Sequence, residues 1–112
     1  MFLFLALVAC TFDETNAESV LKNIRISAND GDTRLVLDLS KQTKYKIFTL
    51  NQPNRIVIDL YKASKISKLE SIRKGHGLIN KVRIAKNNPT KLRVVVETKD
   101  VVLYQAMTIP AS

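Results

Sequence analysis

Along most of this chain, apolar and polar residues alternate in short runs, the period of a strand with one buried face. The runs are Lys22 to Ala28, Thr33 to Ser40, Lys44 to Leu50, Arg55 to Tyr61, Leu78 to Lys86, Lys91 to Thr98 and Val101 to Ile109. Turn chemistry separates them. Asn29-Asp30-Gly31-Asp32 contains Asp-Gly, a strong hairpin signal, and Pro53 and Pro89 mark loops because proline cannot donate to a ladder. From Lys62 to Gly77 the pattern changes. That stretch is polar and basic, with Ile66, Leu69 and Ile72 at spacing three, which predicts a short helical turn.

One strand phrase recurs. It reads R-L-V-L-D-L at Arg34 to Leu39, R-I-V-I-D-L at Arg55 to Leu60, and R-V-V-V-E-T at Arg93 to Thr98. Side chains two apart share a face of a strand, so Arg34, Val36 and Asp38 line one side and Leu35, Leu37 and Leu39 the other. The repetition is wider than the phrase. A shift of 59 carries Arg34-Asp38 onto Arg93-Glu97 and Tyr45-Leu50 onto Tyr104-Ile109, and a shift of 58 carries Ile24-Ile26 onto Val82-Ile84. The first unit has a fourth strand, Arg55 to Tyr61, whose counterpart would fall beyond Ser112. The predicted fold is all-β: a symmetric sandwich of two small antiparallel sheets from a duplicated three-to-four-strand unit, with a helical turn in the linker.

The N-terminus follows a different rule. Phe2 to Ala9 is an unbroken apolar run, too short for a transmembrane helix of about 20 residues but suited to the apolar region of a secretory signal. Two processing readings compete. Thr15-Asn16-Ala17 offers a small-residue cleavage site, making 1–17 a signal peptide and 20–110 the domain. Leu7-Val8-Ala9-Cys10 resembles a lipobox, in which Cys10 is lipidated and membrane contact is through that anchor alone. A third reading makes the run a first strand or core helix of a cytosolic domain. No basic residue precedes the run, which counts against export unless the true start lies upstream.

Charge sharpens the picture. The chain has 112 residues and a net charge of +8, and its first 18 residues hold three acids and no Lys or Arg, so the rest carries +11. Such a surface favours polyanions. Outside the cell's interior that points to an envelope polymer; inside it points to nucleic acid. Catalytic chemistry is poorly supplied. Cys10 and His76 are single residues of their kinds, too few for a zinc site, and His76 lies in a Gly-His-Gly loop. No phosphate-binding or metalloprotease motif occurs, and neither a cofactor nor a metal is expected.

The run from Ile24 to Pro110 resembles the AMIN domain. The matching elements are I-R-I…T-R-L-V-L-D-L-S, then Y-K-I-F-T-L-N-Q-P-N-R-I-V-I-D-L, G-L-I-N-K-V-R-I-A and L-R-V-V-V-E-T, closing on an apolar strand and Pro110. The resemblance implies an envelope-targeting module found ahead of zinc-dependent N-acetylmuramoyl-L-alanine amidases and of secretin-type pores. It implies a β-sandwich that binds peptidoglycan in the periplasm, often at the septum, with septal or outer-membrane assembly proteins as further partners. Glu97 departs from the Asp of the other two phrases, and Thr98 from the apolar position. The chain alone is expected to be non-catalytic, as the front of an amidase or as a stand-alone adaptor.

Candidate ligand-binding residues are Arg34, Arg55 and Arg93, whose guanidinium forks suit carboxylates and sugar oxygens, with Tyr45 and Tyr104 as stacking surfaces. The same Arg residues also read as cross-strand partners of Asp38, Asp59 and Glu97, each exposed pair being worth a few tenths to about 1 kcal/mol. A nucleic-acid-binding barrel is the rival class. Only 6% of residues are aromatic and none is Trp, so nucleic acid is not expected as a partner.

Overall fold

The computed structural model describes residues 2–9 and 18–110. In chain order the strands are β1 (Phe2–Ala9), β2 (Ser19–Asn29), β3 (Asp32–Leu39), β4 (Tyr45–Leu50), β5 (Arg55–Tyr61), β6 (Ala63–Lys65), β7 (Ile72–Lys74), β8 (Ile79–Asn88), β9 (Lys91–Thr98) and β10 (Leu103–Pro110). Every run of alternation became a strand. The Asp-Gly turn is as its chemistry requires: Asp30 and Gly31 both have positive φ, 50° and 84°, and close a two-residue hairpin in which Asn29 faces Asp32.

The strands form two sheets, ordered β10-β1-β3-β2-β6 and β4-β5-β9-β8-β7. Each sheet draws on both repeats. β2 and β3 share the first sheet with β10, while β4 and β5 share the second with β8 and β9, so the third strand of each repeat crosses to the other sheet. The apolar faces meet in one core. Leu21, Ile24, Leu35 and Leu37 from the first sheet join Ile56, Ile58, Leu60, Val82, Ile84, Val94 and Val96 from the second. Each such side chain contributes about 1.5–3 kcal/mol on burial. The duplicated sandwich is the predicted one.

The linker corrects one expectation. Among the described residues there is no helix. β6 adds in parallel to the start of β2, and β7 adds antiparallel to β8. Leu69 is buried but Ile72 is 61% exposed, so the spacing of three did not mark a common face. A helix of a few residues has an unfavourable nucleus, whereas the sheet edges offer unpaired N–H and C=O groups that a passing extended segment satisfies. One turn survives, from the Leu69 N–H to the Ile66 carbonyl at 3.1 Å.

Phe2–Ala9 is placed inside the first sheet. It runs parallel to both β3 and β10, with Leu3, Leu5, Leu7 and Ala9 in the core. Periodicity does not distinguish this use of an apolar run from a leader. Cys10 and the Ala17 cleavage region lie outside the described residues.

Candidate functional site: the outer face of the second sheet

Because Ile56, Ile58 and Leu60 point into the core, the intervening residues of β5 point outward. Register then sets their neighbours. Asp59 lies between Lys46 of β4 and Arg93 of β9, Val57 between Phe48 and Val95, and Arg55 between Leu50 and Glu97. Lys81 and Arg83 of β8 continue the face. The result is a basic surface around one buried acid.

Arg93 grips that acid with both arms. Its Nε donates to Asp59 Oδ1 at 2.8 Å and its Nη2 to Oδ2 at 3.0 Å. Lys91 Nζ lies 3.7 Å from Oδ2, and the Asp59 side chain is only 3% exposed. Aromatic rings underlie the cations. The Arg93 guanidinium sits 5.5 Å from the Phe48 ring centre, Lys46 Nζ 5.9 Å from the same ring, and Lys91 Nζ 5.8 Å from the Tyr61 ring. Such contacts are worth about 0.5–1 kcal/mol at exposed sites. Beside this cluster is a depression of ≈ 220 Å³ lined by Pro53, Arg55, Lys81, Arg83, Val95 and Glu97. Arg55 is tied to its own turn, donating to the carbonyls of Pro53 and Asn51. Lys81 Nζ is 3.7 Å from Glu97. Three cations thus line the depression with one carboxylate, which Lys81 approaches.

Hydrogen bonds from Arg93 hold the Asp59 carboxyl below the usual carboxylate range, against its burial, and the charges of Arg93 and Lys91 add to the lowering. Asp59 in turn holds Arg93 above its ordinary value. An unfolded Asp titrates near about 3.9, so the unfolded state takes up the proton first as the pH falls. The pair's stabilisation is therefore complete above about pH 5 and is lost as pH drops through the folded-state value. The urea midpoint is expected to hold from neutrality to about pH 5 and then fall, with Asp59→Asn removing part of that acid slope. A midpoint that rises on acidification has the wrong sign for this pair.

The sequence candidates separate in space. Arg55 and Arg93 share this face. Arg34 is on the outer face of the first sheet, the opposite side of the sandwich, 6.0 Å from the Phe4 ring. There Asp38 pairs with Arg25, whose Nε and Nη2 donate at 2.9 and 2.8 Å. Tyr45 and Tyr104 turn inward and pack half-buried against the core, away from Arg93. Lys46, Phe48, Lys91 and Arg83 were not among the candidates, although the alternation that puts Tyr45 with Ile47 also puts Lys46 with Phe48. Among the described residues no group of three or more His, Cys, Asp or Glu side chains is placed to hold a metal ion.

Comparison with known proteins agrees with the geometry. The chain is 30% identical over 82 residues to the N-acetylmuramoyl-L-alanine amidase AmiC of Neisseria meningitidis serogroup B, covering 70% of this chain and 20% of that protein. It is 29% identical over 97 residues to the N-acetylmuramoyl-L-alanine amidase AmiC of Escherichia coli O6:H1, covering 83% of this chain and 23% of that protein. The chain therefore spans about a fifth of the length of these curated relatives. The AMIN domain family matches residues 13–111, from ahead of β2 to beyond the end of β10. With the match running through the whole duplicated part of the sandwich, the chain belongs to the AMIN domain family.

Proposed function

We propose that this domain is a non-catalytic peptidoglycan-binding module that localises a cell-wall-remodelling enzyme, of the N-acetylmuramoyl-L-alanine amidase type, in the periplasm and at the division septum. The reading draws on the two amidase relatives. The observation that carries it is the outer face of the second sheet, where Arg55, Lys81 and Arg83 line one depression that holds a single carboxylate, Glu97. Peptidoglycan offers matching chemistry. Stem-peptide carboxylates suit guanidinium and ammonium groups, and sugar rings present apolar faces to Phe48 and Tyr61. Arg93, locked onto Asp59, orders the face rather than meeting ligand directly. Export is part of the proposal: residues 1–17 act as a leader, or Cys10 carries a lipid.

Purified cell-wall sacculi test it. The full chain is expected to sediment with sacculi at moderate salt, to be released as salt screens the charges, and to show no affinity for single-stranded DNA. The double variant Lys81→Glu/Arg83→Glu, folded by circular dichroism, is expected to lose retention by about tenfold or more, equivalent to about 1.4 kcal/mol. Retention unchanged by that variant removes this face from the proposal. No retention by the unaltered chain removes the wall ligand and favours an adaptor that binds envelope proteins. The chain alone is expected to release no stem peptides from sacculi.

A further inference from the structure

The repeat gives the outer face of the second sheet an internal counterpart. A shift of 58 carries Arg25 of β2 onto Arg83 of β8, and a shift of 59 carries Asp38 of β3 onto Glu97 of β9. Register agrees. Arg25 pairs with Val36 as Arg83 does with Val95, and the acids face Asn23 and Lys81, each next to the same register shift. In the first sheet the cation and the acid close on each other. Arg25 Nε and Nη2 donate to the two oxygens of Asp38 at 2.9 and 2.8 Å.

In the second sheet the equivalent pair stays open. Arg83 makes no hydrogen bond or ion pair with any described residue, and the carboxylate of Glu97 is approached only by Lys81 Nζ, at 3.7 Å. Glu97 is also the acid that departs from the Asp of the other two phrases. Both side chains line the depression of ≈ 220 Å³, together with Arg55, Lys81 and the apolar Val95. The first sheet thus neutralises this acid and cation internally, whereas the second presents them to whatever enters the depression. All of these residues lie inside the family match.

We propose that the depression recognises an amino-acid head, an ammonium and a carboxylate on one carbon, carried on an aliphatic arm. The carboxylate takes the fork of Arg83, with Arg55 and Lys81 adding charge. The ammonium takes Glu97 in place of the long contact from Lys81, and the arm lies on Val95. A carboxylate alone would meet repulsion from Glu97, and an ammonium alone would meet three cations, so the arrangement favours a ligand with both. The inference rests on the peptidoglycan reading and narrows it: the ligand is the free end of a diamino-acid residue in a stem peptide. Cross-linking turns that ammonium into an amide, so the site separates open stems from cross-linked ones.

Acetylation sets this recognition against simple charge attraction. Sacculi whose stems contain diaminopimelate are treated with acetic anhydride, which removes the ammonium and leaves the wall more anionic. The chain carries a net charge of +8, so charge attraction alone strengthens retention after treatment. Recognition of the head does the reverse. Retention at moderate salt is expected to fall by about tenfold, the contribution of one charge-assisted hydrogen bond. Glu97→Gln is expected to bind untreated sacculi more weakly and to lose the distinction between the two samples; if that variant does not fold, the unaltered chain decides alone. Retention that is equal or stronger after acetylation overturns the inference and leaves the wall reading standing, as does a Glu97→Gln chain that still tells the samples apart. No retention on either sample overturns both. Release from sacculi by micromolar free diaminopimelate would assign the site to a soluble amino acid and overturn the stem-peptide ligand.

Discussion

Replacing Arg93 with alanine is expected to lower the unfolding free energy by about 2–4 kcal/mol, more than an exposed ion pair is worth. The reason is what it leaves behind. Asp59 is almost wholly buried, both of its oxygens are held by the guanidinium, and the remaining cation, Lys91, is 3.7 Å away. Removing the fork strands a carboxylate with little water to replace it. Phe48 also loses the guanidinium that covers it. Arg93→Lys keeps a charge but not the two-pronged geometry, and is expected to fall between alanine and the unaltered chain. The double variant Asp59→Val/Arg93→Val removes both charges and is expected to be more stable than Arg93→Ala alone. Urea unfolding followed by far-ultraviolet circular dichroism measures all three. In Arg93→Ala the stability lost on acidification is expected to shrink, since the hydrogen bonds that hold the Asp59 carboxyl down are gone and its burial, which pushes the carboxyl up, favours the protonated form in the folded state. A double variant less stable than the single one contradicts this account.

Ile58→Ala carries the other large effect, about 2–5 kcal/mol. Ile58 is fully buried at the middle of β5 and is flanked on its own sheet by Ile47 and Val94. β4 and β9 hold β5 from both sides, so the backbone has little freedom to collapse into the space left. Ile72→Ala removes the same atoms from a side chain that is 61% exposed, and is expected to change stability by no more than about 0.5 kcal/mol. Equal losses from the two variants would show that burial in this core does not govern the cost.

Much of this fold is legible in the sequence because strand alternation is a local property. Arg55–Leu60 announces its own inward and outward faces, and Asp30-Gly31 announces its turn. The crossing of β4 and β10 between sheets is not legible, since a repeat specifies which strands are alike and not which ones pair. β1 is ambiguous for another reason: eight apolar residues in a row have no period to read. The edge strands β6 and β7 owe their conformation to neighbours far along the chain, which local spacing of Ile66, Leu69 and Ile72 does not record. The site divides in the same way. Arg55 and Arg93 follow from alternation and composition, but the Arg93–Asp59 grip joins residues 34 apart and depends on register between strands of different repeats. Tyr45 and Tyr104 attract attention by residue type alone, while their alternation with Ile47 and Ala106 already places them inward.

The exchange of strands between the repeats also governs the order in which the molecule can be made. As the chain leaves the ribosome, the β4–β5 hairpin is complete long before β9 exists, and two-stranded hairpins are marginal in water. The first sheet likewise waits for β10, the last of the described strands to emerge. Contacts this distant form slowly, because loop closure is costly before any packing offsets it. Neither repeat can settle early into a finished unit, so the nascent polypeptide stays open and threadable until both repeats have been synthesised.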